Sequence, residues 1–100
     1  MVKHIVIWTL KDEVDGMTKA QLAEKAKKRL ESMNGRIPGL LKLEVGINTG
    51  PDKDAADLLL YCEFSDFDAL KVYQVHPVHQ EFVEYIRKIR DTRQVVDYEI

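Results

Sequence analysis

One cysteine in 100 residues, Cys62, excludes an intrachain disulfide. It lies in an apolar run, where a free cysteine packs as a small hydrophobe, and nothing near it in sequence would lower its pKa into the reactive range. An excess of one charge is missing as well: 15 basic and 17 acidic side chains leave a formal net charge of -2. The densest basic stretch, Lys25, Lys27, Lys28 and Arg29, is flanked by Glu24 and Glu31 and reads as the solvated face of a helix. A nucleic-acid partner, which needs a basic stripe, is not expected. No apolar run approaches the roughly 20 residues of a membrane span. Lys3, His4 and Lys11 interrupt or close the apolar start, and no small-residue cleavage pattern follows. A cytoplasmic protein without a membrane partner is the expectation. There is no glycine-rich phosphate loop and no nucleotide motif. No serine or cysteine nucleophile stands beside a base, so peptide hydrolysis has no footing.

What is present suits one domain over residues 1–100. With 45% apolar residues, the chain can build a core, but a domain this small buries only about two-thirds of its unfolded surface. Val2 to Leu10 reads as a strand rich in β-branched residues, with Val2, His4, Val6, Trp8 and Leu10 on one face and Ile5 and Ile7 on the other. A strand apolar on both faces is covered on both. Lys11 to Met17 reads as a polar connection. Thr18 and Gln21 form a capping box, and Leu22, Ala26, Leu30 and Met33 recur at helical spacing, with Gly35 as the stop. Leu40 to Ile47 is a second strand, with Leu41, Leu43, Val45 and Ile47 on one face. Leu58 to Phe64 is a third. Ser65 is expected to cap a helix reaching about Val75, a further helix opens at Pro77, and Arg93 to Ile100 is a last strand with Val96, Tyr98 and Ile100 on one face. The order is β-α-β-β-α-β, an α+β ferredoxin-like arrangement with an antiparallel sheet. Helices cover one face of such a sheet, and a second copy is expected to cover the other, giving a homodimer through the sheet.

The segment Tyr73-Gln74-Val75-His76-Pro77-Val78-His79-Gln80-Glu81-Phe82 carries the most chemistry. Pro77 lacks a backbone N–H and disfavours helix at the residue before it. The helix therefore breaks at His76 and restarts with Pro77 as its first residue. That break gathers a tyrosine and two of the three histidines at one corner.

The opening Val2-Lys3-His4-Ile5-Val6, the following Leu10-Lys11-Asp12, the Tyr73-x-x-His76-Pro77-x-His79-x-x-Phe82 block and the closing Val96-Asp97-Tyr98 resemble the stress-responsive A/B barrel (Dabb) domain. The resemblance spans the whole chain in order and spacing. It implies a ferredoxin-like unit whose sheet pairs with that of a second copy into a dimeric α+β barrel. The family includes stress-induced proteins without assigned activity. It also includes plant polyketide cyclases, in which a tyrosine and the second histidine of the HPxH block do acid–base chemistry in a cavity between sheet and helices. Tyr73 and His79 match those positions, and His4 matches a histidine of the first strand that lines the same cavity. The wider superfamily adds cofactor-free monooxygenases, lactone isomerases and haem-handling enzymes, and fold alone does not choose among them.

From the residues, His79 falls in the first turn of the helix opened by Pro77. The positive end of the helix dipole disfavours imidazolium there by about 0.3–1 kcal/mol, and a neutral imidazole near pH 7 can act as a base. His79, Phe82 and Ile86 share a helical face, and Tyr73 supplies a hydroxyl donor for a carbonyl or enolate oxygen. A cavity lined by His4, Tyr73, His79, Phe82 and Ile86 is expected, with Trp8 as a wall and His76 as a further ligand contact. It would take a small hydrophobic carbonyl compound, with His79 as base and Tyr73 as acid or oxyanion donor in a cyclase, lyase or isomerase. The second reading is structural. His76 caps the following helix, His79 satisfies a carbonyl, His4 is a core histidine, and the protein serves binding or assembly rather than catalysis. No cofactor and no metal are expected, because His76 and His79 have no carboxylate or thiolate beside them. Leu59, Tyr61 and Glu63 are taken to fill the third strand on the cavity side, which argues against a polyketide-sized substrate. The bulk of Leu58, Leu60, Val96 and Ile86 argues against haem.

Overall fold

The structure, a computed structural model, describes residues 1–100. Its main strands are β1 (Val2–Leu10), β4 (Leu40–Ile47), β5 (Leu58–Phe64) and β6 (Arg90–Glu99). A two-residue hairpin, β2 (Glu13–Val14) and β3 (Met17–Thr18), precedes helix α1 (Lys19–Glu31). Helices α2 (Phe67–Val75) and α3 (Pro77–Ile89) lie between β5 and β6. The four main strands form an antiparallel sheet in the order β4-β5-β1-β6. This is the α+β ferredoxin-like fold. No helix is long and apolar enough to cross a membrane.

The alternation in β1 and β5 sets the layers. Val2, His4, Val6, Trp8 and Leu10 are buried, as are Leu58, Leu60, Cys62 and Phe64, while the residues between them are half-buried. Period-two burial of this kind places the buried set under the helices and the other set on the open face. Leu22, Ala26 and Leu30 of α1, with Met33 just beyond it, complete one side of the core. Leu70 and Tyr73 of α2 and Phe82, Ile86 and Ile89 of α3 complete the other.

The helix starts follow local chemistry. Thr18 accepts from the Gln21 amide while the Gln21 side chain accepts from the Thr18 amide at 2.9 Å, the expected capping box. Helix α2 is capped by Asp66, not Ser65. Its carboxylate accepts from the Ala69 amide at 2.8 Å, and a carboxylate at this position also meets the positive end of the helix. The polar connection after β1 contains the hairpin, turned by Asp15 (φ 52°) and Gly16 (φ 80°), the left-handed pair that a tight two-residue hairpin requires. In β4 the register shifts between Leu40 and Lys42. Leu41 is thereby left exposed rather than joining Leu43, Val45 and Ile47.

Strand β6 begins at Arg90, three residues before the expected Arg93, because α3 runs into it without a loop. It pairs only with β1, at the sheet edge. From Asp91 to Glu99 every residue is exposed. Its register puts Arg93 opposite Trp8, Val95 opposite Val6 and Asp97 opposite His4, so these three project on the helix side. Val96 and Tyr98 face the open side with Ile5 and Lys3. The helical layer therefore stops short of β6, and the gap beside it forms the candidate site.

Candidate functional site

The proline break builds the site from backbone hydrogen bonds. In an unbroken helix the Gln74 carbonyl would accept from the Val78 amide. Here that amide donates to His76 Nδ1 at 3.1 Å, making His76 the cap of α3. The Gln74 carbonyl is left without its helical partner. His79 Nδ1 meets it at 3.2 Å and Gln80 Nε2 at 2.6 Å. A carbonyl only accepts, so His79 Nδ1 carries the proton and Nε2 keeps its lone pair. Nε2 has no partner within the protein. One proline thus fixes both the ring orientation and the tautomer of His79.

His79 lies on a cavity of about 350 Å³ between β1, α2, α3 and the start of β6. The lining includes His4, Trp8, Tyr73, Phe82 and Ile86. His76 does not line it: its ring is turned to the Val78 amide, outside the cavity, which corrects the expectation of a ligand contact there. Leu59, Tyr61 and Glu63 do not face it either. They alternate with the buried residues of β5 and lie on the open side, where the Tyr61 hydroxyl donates to Glu63 at 2.5 Å. These residues therefore set no limit on the size of a ligand in the cavity. Val96 is likewise on the open face and takes no room from the cavity.

Aromatic rings connect the floor to the helix corner. His4 meets Phe64 and Tyr73 edge-on, with centroids 6.4 and 5.8 Å away. The Tyr73 ring lies 4.3 Å from that of His79, and Trp8 meets Phe82 edge-on at 5.9 Å. His4 is buried, and its Nδ1 is hydrogen-bonded to the Asp97 carboxylate. Asp97 thereby fixes the ring of His4, a role readable only once β6 is in register with β1.

Three buried side-chain donors have no partner inside the protein: the Tyr73 hydroxyl, the Trp8 indole Nε1 and the Tyr85 hydroxyl. Buried polar atoms without partners are rare and costly; Tyr73 and Trp8 line the cavity, whereas Tyr85 lies outside its lining. Burial, with the Cys62 thiol next to it, holds the Tyr73 phenol far above its ordinary range, against a smaller opposing pull from Arg93. It is a donor at any physiological pH. Burial pushes the Cys62 thiol up to about 12, so it is neutral and unreactive.

Burial lowers the His79 pKa below its ordinary 6.5; the Gln74 carbonyl opposes this, while His4, Arg93 and His76 add to it. The unfolded chain therefore binds a proton at His79 more readily than the folded one. Stability from this group is fully present above pH 6.5 and is lost as pH falls below it. Urea unfolding of wild type and His79→Gln between pH 8 and 5 is expected to show a steeper acid-side loss in wild type. Parallel curves would contradict the depressed pKa.

The chain belongs to the stress responsive A/B barrel domain (Dabb) family, whose model matches residues 2–100. Among solved structures it is similar to a dimeric protein of unknown function with a ferredoxin-like fold from Bacteroides fragilis. That protein is 33% identical, with a TM-score of 0.87, and the match covers 99% of this chain and 95% of that one. It is also similar to a Dabb family protein from Mesorhizobium loti, at 26% identity, TM-score 0.71 and coverage of 99% and 95%. A hydroxynitrile lyase from Passiflora edulis shares the fold at 16% identity, TM-score 0.82 and coverage of 99% and 92%. No curated protein sequence matches the chain.

Proposed function

We propose that this protein binds a small carbonyl compound in the cavity and moves a proton at the carbon next to the carbonyl, without a cofactor. His79 Nε2 takes the proton. The Tyr73 hydroxyl, with the Trp8 N–H, donates to the carbonyl oxygen as it becomes enolate-like. The observation that carries this reading is that an unpartnered base and two unpartnered buried donors line the same cavity. A buried donor is worth most where charge develops away from water. Such a step suits a cyclase, lyase or isomerase. The lyase named among the structures of this fold is in keeping with that class and goes no further. The test is deuterium incorporation next to the carbonyl of acetophenone in D2O, followed by proton NMR. Exchange no faster than in buffer alone would defeat the proposal.

The competing reading, a binding or assembly protein with a structural corner, draws on the cap made by His76 and the bond from His79 to Gln74. It leaves Tyr73 and Trp8 unexplained.

We also infer a homodimer formed through the open face of the sheet. Ile5, Ile7, Leu59, Val96 and Tyr98 lie on that face, with Val96 and Tyr98 left 55% and 40% exposed. Apolar side chains gathered on a sheet face that no helix of this chain covers mark a partner site. Three of the similar structures are described as dimeric. Light scattering at micromolar concentration is expected to give twice the 11.6 kDa chain mass, and Ile7→Glu is expected to shift it toward monomer. A well-folded wild-type monomer would contradict this.

A further inference from the structure

The cavity mouth is charged in one sense. Its lining contains Arg87, Arg90 and Arg93 and not one carboxylate. None of the three guanidinium groups joins an ion pair or a side-chain hydrogen bond; the ion pairs of the molecule are His4–Asp97, Lys19–Asp12 and Lys19–Asp57. Asp97, on the same face of β6 as Arg93, is occupied by His4. In a chain with a net charge of -2, three unpaired arginines on one small cavity are an asymmetry that ordinary surface statistics do not require.

The convergence follows from the chain path. Arg87 stands in the last turn of α3, Arg90 is its C-cap and the first residue of β6, and Arg93 lies opposite Trp8. Because α3 passes into β6 without a loop, three arginines spaced three apart turn the corner together. Arg87 also complements the negative end of the helix, but Arg93 is beyond the reach of that explanation.

We propose that the ligand is a small keto acid, with its carboxylate held at the mouth by Arg87, Arg90 and Arg93 and its carbonyl directed to the buried Tyr73 and Trp8 donors. The carbonyl end rests on the proton-transfer reading above; the carboxylate end does not. Arginine suits this role because its planar fork donates two parallel hydrogen bonds to a carboxylate. The apolar body of the ligand would pack on Phe82, Ile86 and Leu60, which belong to the same lining. A carboxylate anchored away from the reacting carbon would also orient that carbon toward His79.

The probe is 4-oxo-4-phenylbutanoate, with its methyl ester as the neutral counterpart and inorganic phosphate as a simple anion. Binding to the full chain is followed by titration calorimetry. The acid is expected to bind about tenfold more tightly than the ester, as a charge-assisted contact at a partly exposed site allows. Raising the ionic strength is expected to weaken the acid and spare the ester. Arg93→Gln and Arg87→Gln are each expected to weaken the acid by about three- to tenfold without changing the ester. Equal affinity for acid and ester, no binding of the acid, or displacement of the acid by phosphate at equal concentration would overturn the proposal. Both arginines are exposed, so the variants should fold; if one does not, the acid–ester comparison on wild type still decides. The two proposals fail separately. Exchange on acetophenone with no preference for the acid removes the arginine site alone. Arginine-dependent binding of the acid without exchange upholds the site and removes the proton-transfer step.

Discussion

His79→Gln is expected to slow proton exchange next to a bound carbonyl by about 10²- to 10⁴-fold, the usual contribution of a positioned general base. The fold should survive. Glutamine can still donate to the Gln74 carbonyl, which His79 Nδ1 meets at 3.2 Å in wild type, so the helix corner keeps its bond and loses only the lone pair. Tyr73→Phe provides the matching case. It removes a hydroxyl with no partner in the protein, so stability should hold or rise slightly. Exchange should nevertheless fall by about 10²- to 10³-fold, as on loss of an oxyanion donor. A residue that costs activity and not stability is a site residue. If Tyr73→Phe instead destabilises the protein and leaves exchange intact, the hydroxyl is structural. His76→Asn is the internal control: asparagine is also a good N-cap, so both properties should change little.

Phe64→Ala is expected to cost about 3–5 kcal/mol, the range for deleting a buried aromatic side chain. Phe64 is wholly buried. Its ring lies 5.1 Å from Tyr73 and 6.4 Å from His4, so the cavity left behind opens directly beneath the site. Typical domains are stable by only about 5–15 kcal/mol. The variant should therefore unfold at much lower urea concentration, and its loosened Tyr73 and His4 should lose ligand binding even where it remains folded. Phe64→Leu keeps most of the volume and should cost less than half as much. Similar midpoints for wild type and Phe64→Ala would mean that this end of the core is poorly packed.

The residues that face the core were legible because period-two and helical spacing are written in the order of side chains. Val2 to Leu10 and Leu58 to Phe64 came out as strands with the observed bounds, and Pro77 marked the helix break where it occurs. Cap positions were less legible: Ser65 and Asp66 are both good caps, and only backbone geometry selects Asp66. The Asp15-Gly16 turn did carry a signal, since a left-handed pair between Val14 and Met17 favours a tight hairpin. Strand register was not legible at all. Nothing in the order of residues says that Asp97 will stand opposite His4 or Arg93 opposite Trp8. The placement of Leu59, Tyr61 and Glu63 was legible in principle, because they alternate with the apolar Leu58, Leu60, Cys62 and Phe64, and the pleat turns them to the open face. The corner from Arg87 to Arg93 looked like the end of a helix and the start of a strand, and the absence of a loop between them is what brings its arginines to the cavity.

The most direct measurement is a long-range proton–nitrogen NMR correlation of the three histidine rings across pH, repeated with acetophenone. His79 should appear as the Nδ1–H tautomer, titrate below 6.5 and shift at Nε2 when the ketone is added, while His76 does not respond. A proton on His79 Nε2 at neutral pH, a titration at or above the ordinary histidine value, or an Nε2 signal indifferent to the ketone would contradict His79 as the base of this cavity.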